Sequence, residues 1–222
     1  VSISYFMEAS RKARLYGGMN ADARRAERRL RLIDAAIEVY GEVGYRGATV
    51  KAICEAAELT ERYFYESFAN SEALLIAAYT HVVGRLHEEM AAAANAAGTD
   101  SEARLLATLT LYFTRLKEHP KPARVFLLEI SGISPAVDAV KLDALRTFSD
   151  ILVPPPVDPK RHDKDPSAAL LPIGMVGAVV SIALRWVSKH YPQPVDEVVA
   201  IAAAFCRVAF DGTKSGTFLR SV

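Results

Sequence analysis

Eight basic residues, Arg11, Lys12, Arg14, Arg24, Arg25, Arg28, Arg29 and Arg31, face only Asp22 and Glu27 between positions 11 and 31, a local charge of +6 in a chain of formal charge +1. The rest of the chain is therefore net acidic. Such a run either meets a polyanion or forms a solvated helix face, and the near-neutral total excludes a protein that coats nucleic acid or anionic membrane with its whole surface. Residues suited to covalent or metal chemistry are few and badly spaced. Cys54 and Cys206 lie in helix-like apolar patterns and build no disulfide framework, so a reducing cytoplasm is the expected compartment. His81 and His87 are six positions apart, which puts their imidazoles on different helix faces, and with Glu88 they make no zinc site. Ser131-Gly132 lacks a nucleophile elbow, and no glycine-rich loop follows a strand. No enzyme, resident metal or cofactor is expected. What remains is recognition by charge, hydrogen bonding and shape.

The elements that must position such residues are helices. Apolar residues recur at spacings of three and four along 222 residues that are 51% hydrophobic, and no alternating runs bounded by turn dipeptides occur, so the chain is expected to be all-α with about nine helices. Residues 1–22 read as an arm broken at Gly17-Gly18, with Met19 as natural a start as Val1; the opening VSISYFM has neither the basic region nor the length of a secretory signal. A long helix is expected over 23–43, with Leu30, Ile33, Ile37 and Tyr40 on one face and Gly44 at its end. Thr49 caps a short helix over 50–57, Thr60 caps another over 61–68, and Ser71 with Glu72 opens a longer one toward 97.

Further on, Leu105, Leu109, Tyr112 and Leu116 share a helical face, Pro120 and Pro122 mark a break before a short apolar helix over 123–130, and Pro135 opens a helix through Leu152. The prolines from Pro154 to Pro166, mixed with charges, read as a surface linker before the last two helices, over 167–190 and 195–211. The first of these begins with the uncharged stretch 168–184, which Pro172, Gly174 and Gly177 interrupt and which is shorter than the roughly 20 residues of a membrane span. It reads as a helix buried on every side within protein, with a partner subunit as part of its cover, and no membrane contact is expected.

Two short capped helices joined by a tight turn and preceded by a longer amphipathic helix match a DNA-binding helix-turn-helix unit. Its second short helix must lie in the major groove with its first residues toward base edges. Ile33, Ile37, Tyr40, Tyr45, Ile53, Ala57, Leu59, Phe64, Phe68 and Leu74 can build the core that holds it, which leaves Glu61, Arg62, Tyr63, Tyr65 and Glu66 for solvent or DNA.

The stretch AAIEVYGEVGYRGATVKAICEAAELTERYFYESFANSEALL, within about residues 28–75, resembles the TetR family of transcriptional regulators. The resemblance rests on Gly44-Tyr45 at the end of the first helix, Thr49 opening the second, Ile53 and Ala57 on its buried face, Leu59-Thr60 at the turn, Phe64-Tyr65 and Phe68 in the recognition segment, and Glu72 with Leu74 opening the fourth. It implies three parts: an arm over 1–22, a three-helix DNA-binding domain over 23–72, and a larger helical effector-binding and dimerisation domain over 73–222. It also implies that Thr49, Lys51, Thr60 and Tyr65 are placed for backbone phosphates and that Arg62 and Tyr63 face base edges, Arg62 with the geometry for guanine. For Tyr65, packing of an amphipathic ring is an equal alternative. Arg28, with Arg24, Arg25 and Arg29, reads equally as a DNA-contacting or a solvated face.

Three departures from the family pattern carry physical consequences. Glu58 stands where glycine is common at the turn, so a left-handed conformation there costs about 1 kcal/mol. Ser71 stands where lysine is common and removes a phosphate contact, while Glu61 and Glu66 repel phosphate unless they accept from cytosine amino groups. On the effector side the candidates are Tyr112, Phe113, Phe126, Glu129 and Met175, residue types whose commonest role is ordinary core. Glu129, alone in the apolar VFLLEI run, needs a partner: Arg185, a ligand cation or a hydroxyl. The expected partners are a palindromic double-stranded operator, a second copy of the chain through the last two helices, and a small-molecule effector that relieves repression. The runner-up is a helical binding or interaction protein of the same fold without operator recognition.

Overall fold

The computed structural model describes residues 3–152 and 170–214, with side chains described from residue 20 onward except at 171 and 211–214. Among the described residues there are nine α-helices and no strand, as the apolar spacing demands. They form two compact units, Val1–Ala78 and Tyr79–Val222. The proline-rich linker expected between positions 154 and 166 lies outside the described residues.

The first unit holds α1 (Ile3–Val43), a 3-10 turn (Tyr45–Gly47), α2 (Val50–Ala56), α3 (Glu61–Ser67) and the start of α4 (Ser71–Ala96). Helix α1 continues through Gly17 and Gly18, where the sequence reads as a break. Each glycine costs about 1 kcal/mol relative to alanine, and the Ala-, Arg- and Met-rich surroundings are strong helix formers. Leu32, Ile33, Ala36, Ile37 and Tyr40 form its buried stripe. Leu30, expected on that face, is half exposed, because it sits about 60° round the helix from Ile33 on the side away from Ala36. Gly44, at φ 78°, ends α1 with a backbone conformation that side chains rarely adopt. At the head of α4, Asn70 rather than Ser71 is the cap, its Oδ1 accepting from the Ala73 amide at 2.8 Å.

The second unit holds the rest of α4, α5 (Ser101–Glu118), α6 (Pro120–Arg124) passing into a π-helical turn (Val125–Glu129), α7 (Pro135–Leu152), α8 (Leu170–Ser188) and α9 (Val195–Lys214). Helix α5 packs on α9, α7 packs on α8, and α8 also meets the π turn. The Asp100 carboxylate caps α5 at the Ala103 amide, and Ser134 with Pro135 opens α7. Helix α8 is buried on one side rather than all round: Met175, Val179, Ala183 and Trp186 are covered, whereas Gly174, Ser181 and Leu184 are exposed in the single chain. No described helix is long and apolar enough to cross a membrane.

Candidate functional site

Local chemistry sets the two short helices. The Thr49 hydroxyl accepts from the Ala52 amide at 3.1 Å and starts α2. Helix α2 ends in a Schellman motif, the Leu59 amide donating to the Cys54 carbonyl at 2.9 Å and the Glu58 amide to the Glu55 carbonyl at 3.1 Å. That motif requires a left-handed residue at its centre, and Glu58 supplies it at φ 52°. Thr60 precedes α3 with extended backbone, yet its side chain makes no capping hydrogen bond. Phe64 is fully buried beneath α3, with the Tyr65 and Phe68 rings 5.1 and 6.0 Å away.

The arginines of α1 have work within the unit. Arg25 donates to the Glu66 carbonyl at 2.8 Å and Arg29 to the Ser67 carbonyl at 2.7 Å, both at the end of α3. Arg31 donates to the Ala57 carbonyl at 2.6 Å, at the end of α2. Carbonyls there have no intrahelical partner and carry the negative end of the helix dipole, so a guanidinium is well matched to them. The Arg29 guanidinium also lies 4.1 Å from the centre of the Phe68 ring, and that of Arg28 lies 4.5 Å from the centre of Tyr63. Arg25, Arg29 and Arg31 thus also clamp the ends of the short helices, a role the sequence does not suggest for them.

Thr49, Lys51, Thr60, Glu61, Arg62 and Tyr65 are exposed on α2, α3 and the segment between them. Tyr65 is 62% exposed although its edge meets Phe64, while Tyr63 is half-buried under Arg28. Arg62 donates through Nε to the Glu66 carboxylate at 2.9 Å. An exposed helical pair of this spacing is worth about 0.3–0.5 kcal/mol. A bidentate guanine contact discriminates by about 1–3 kcal/mol, so the pair does not hold Arg62 back from a base. Lys51 stands 3.9 Å from Glu55 in an equally exposed pair.

In the second unit, Tyr112, Phe113, Phe126 and Met175 are all buried. Phe126 stacks on Tyr79 at 5.9 Å and takes the edges of Tyr112 and Phe148, while Phe113 meets Trp186. Glu129 is paired with Arg124, whose Nε donates to it at 2.8 Å; Arg185, one of the candidates from sequence, lies exposed on α8. Burial pushes the Tyr79 and Tyr112 hydroxyls far above the ordinary tyrosine range, so both stay protonated. Sequence reasoning misses Tyr79 and Phe148 in this cluster and the buried Thr108 on α5, since each fits an ordinary helical pattern. It also misses the π turn, for which VFLLEI carries no local signature.

Residues 32–78 match the family model described as "Bacterial regulatory proteins, tetR family". Among curated relatives, the HTH-type transcriptional regulator BetI of Rhizobium meliloti (strain 1021) is 31% identical over 100 residues, a match covering 45% of this chain and 49% of that protein, so the similarity spans about half the relative's length. Among solved structures, the fatty acid degradation regulator FadR of Bacillus halodurans superposes with a TM-score of 0.66 at 22% identity, over 81% of this chain and 94% of its own. The FadR regulator of Bacillus subtilis, solved in complex with stearoyl-CoA, does so with a TM-score of 0.63 at 19% identity, over 81% of this chain and 96% of its own. At these identities the structures speak for the fold alone, whereas the helix-turn-helix segment carries the family pattern in its own residues. That segment carries the DNA-binding-domain pattern of the TetR family of bacterial regulatory proteins.

Proposed function

We propose that this protein is a cytoplasmic, sequence-specific DNA-binding transcriptional repressor that acts as a homodimer and leaves its operator when a small molecule binds the second unit. The observation that carries the reading is the first unit itself: α3 is clamped at its end by Arg25 and Arg29, with Thr60, Glu61, Arg62 and Tyr65 exposed along it. Arg62 and the partly covered Tyr63 read base edges, and Glu61 accepts from a cytosine amino group. Thr49, Lys51, Thr60 and Tyr65 take phosphates, and Arg28 orients Tyr63 from behind.

Dimerisation goes through α8 and α9. Leu184 on α8 and Ile201, Phe205 and Val208 on α9 are large apolar residues left exposed in the single chain, the last three spaced four and three apart on one helical face. A two-fold dimer then presents two recognition helices about 34–36 Å apart to a palindrome. An effector held among Tyr112, Phe113, Phe126 and Met175, with Glu129 at the rim, releases DNA only by its higher affinity for a spacing that two adjacent major grooves cannot accept. The stearoyl-CoA held by the Bacillus subtilis regulator supports an effector with an apolar body.

The test is a pull-down of fragmented genomic DNA by the purified protein at two salt concentrations. Recovery of a few fragments sharing a palindrome, with affinity falling steeply as salt rises, establishes the regulator. Recovery of nothing above background gives the weight to a binding protein of the same fold without operator recognition, a reading favoured by one feature, the acidic residues Glu61 and Glu66 exposed on α3, which repel phosphate.

A further inference from the structure

Helix α5 carries two buried hydroxyls that the fold leaves unpaired. Thr108 is 1% exposed and Tyr112 is 3% exposed, and neither oxygen has a hydrogen-bond partner. Leaving such a group unsatisfied costs about 1–3 kcal/mol, so two of them one helical turn apart call for a reason. Threonine and serine within a helix ordinarily bond back to a carbonyl of the preceding turn. Among the described residues four hydroxyls do so: Thr147 to Asp143 at 3.0 Å, Ser149 to Arg146 at 2.6 Å, Ser181 to Gly177 at 2.8 Å and Ser188 to Arg185 at 3.0 Å. Thr108 does not. The buried end of Tyr191, likewise, finds the Leu116 carbonyl on α5 at 3.0 Å, whereas Tyr112 on the same helix finds nothing.

The two positions also share a direction. Leu106 and Thr110, each two residues from Thr108, line a groove on the α9 side of α5, so Thr108 and Tyr112 lie on the opposite face. There the Tyr112 ring meets Phe126, which belongs to the π turn and stacks on Tyr79. Turns of this kind occur disproportionately at functional sites. The one charged residue within the π turn, Glu129, is paired with Arg124.

We propose that Thr108 and Tyr112 together form the polar anchor of the effector site, taking the hydroxyl or carbonyl oxygen of an otherwise apolar, uncharged molecule. This rests on the effector reading above and names the class of ligand. Aromatic walls hold the body, and the two hydroxyls fix the head; a carboxylate or ammonium would lose its hydration without gaining a counter-charge.

The test titrates the purified full chain, without DNA, with 1-naphthol, naphthalene and 1-naphthoate, following ligand fluorescence. The expected order is 1-naphthol tightest, by about tenfold over naphthalene. Tyr112→Phe and Thr108→Val each weaken 1-naphthol by roughly fivefold and leave naphthalene unchanged, while Thr110→Val on the other face changes neither. Both variants unfold at or above the wild-type temperature, since each removes a hydroxyl that costs the fold energy. Equal binding of naphthol and naphthalene, tightest binding of naphthoate, no binding of naphthol, or a naphthol preference that survives both substitutions overturns the proposal. So does a lowered unfolding temperature in both variants, which would make the hydroxyls structural. Because no DNA is present, failure here leaves the operator reading standing, and a failed genomic pull-down leaves the anchor standing.

Discussion

Arg124 and Glu129 are joined across five residues, Nε to carboxylate at 2.8 Å, because the chain between them is π-helical. In an α-helix residues five apart are rotated by about 140° and do not face one another; the wider turn brings them to one side. The pair is partly covered, with the Glu129 side chain 15% exposed, so removing one partner leaves the other poorly solvated. Glu129→Ala is expected to destabilise the protein by about 1–2 kcal/mol and to lower its unfolding temperature by a few degrees. An unchanged thermal melt would show that the pair does not hold the turn.

Glu58 is a left-handed residue at the centre of the Schellman motif ending α2, and its pair with Arg31 at 3.5 Å is too exposed to offset the strain. Glycine removes roughly 1–2 kcal/mol of steric cost and adds about 0.5–1 kcal/mol of unfolded-chain entropy. Glu58→Gly is therefore expected to be stabilising by about 0.5 kcal/mol, and Glu58→Val destabilising by more than about 1 kcal/mol. Urea unfolding of the two variants measures this, and the opposite ranking would refute the strain argument.

Arg62 and Glu66 compete with DNA for each other. Arg62→Ala is expected to weaken operator binding by about 5- to 100-fold and to relax the preference at one base pair. Glu66→Gln removes a charge near phosphate and releases Arg62, so binding should tighten several-fold. Gel-shift titrations on the recovered operator and on single-base variants read both effects. An Arg62→Ala protein with wild-type affinity and preference would remove the base-reading assignment.

Lys51 and Arg29 carry equal charge but do different work. Lys51→Ala is expected to reduce the salt slope of binding by about one unit with stability unchanged. Arg29→Ala loses the Ser67 carbonyl bond and the Phe68 ring contact, and should destabilise the first unit by roughly 1 kcal/mol. Salt-dependent gel shifts beside thermal melts separate the two; a stability loss confined to Lys51→Ala would reverse the assignment.

What the sequence makes legible here is local. Thr49 and Ser134-Pro135 announce helix starts because a cap acts over three residues, and Gly44 announces an end because its backbone conformation excludes a side chain. The family pattern points to Glu58 as a left-handed position for the same reason. The arginine clamp is illegible: Arg25 and Arg29 reach carbonyls 41 and 38 residues away, and a charge run looks the same whether it meets solvent, DNA or a helix end. The π turn is illegible too, since VFLLE fits an α-helix, and with it went the pairing of Glu129 with Arg124, which is not among the three partners the sequence leaves open, Arg185, a ligand cation or a hydroxyl.

The exposed stripe on α9 gives the last prediction. Ile201, Phe205 and Val208 together present a continuous apolar strip, and Phe205 alone is 47% exposed in the single chain. A carboxylate at its centre loses its hydration if the strip is covered by a second copy, at a cost of several kcal/mol per buried charge, and loses nothing if the strip faces water. Phe205→Glu is thus expected to convert a dimer into a folded monomer in sedimentation equilibrium, with helical content kept, because the side chain supports little of the core of its own chain. Operator affinity should fall with it, since a monomer reads only half of a palindrome. A Phe205→Glu protein that remains dimeric would place the interface elsewhere than on α9.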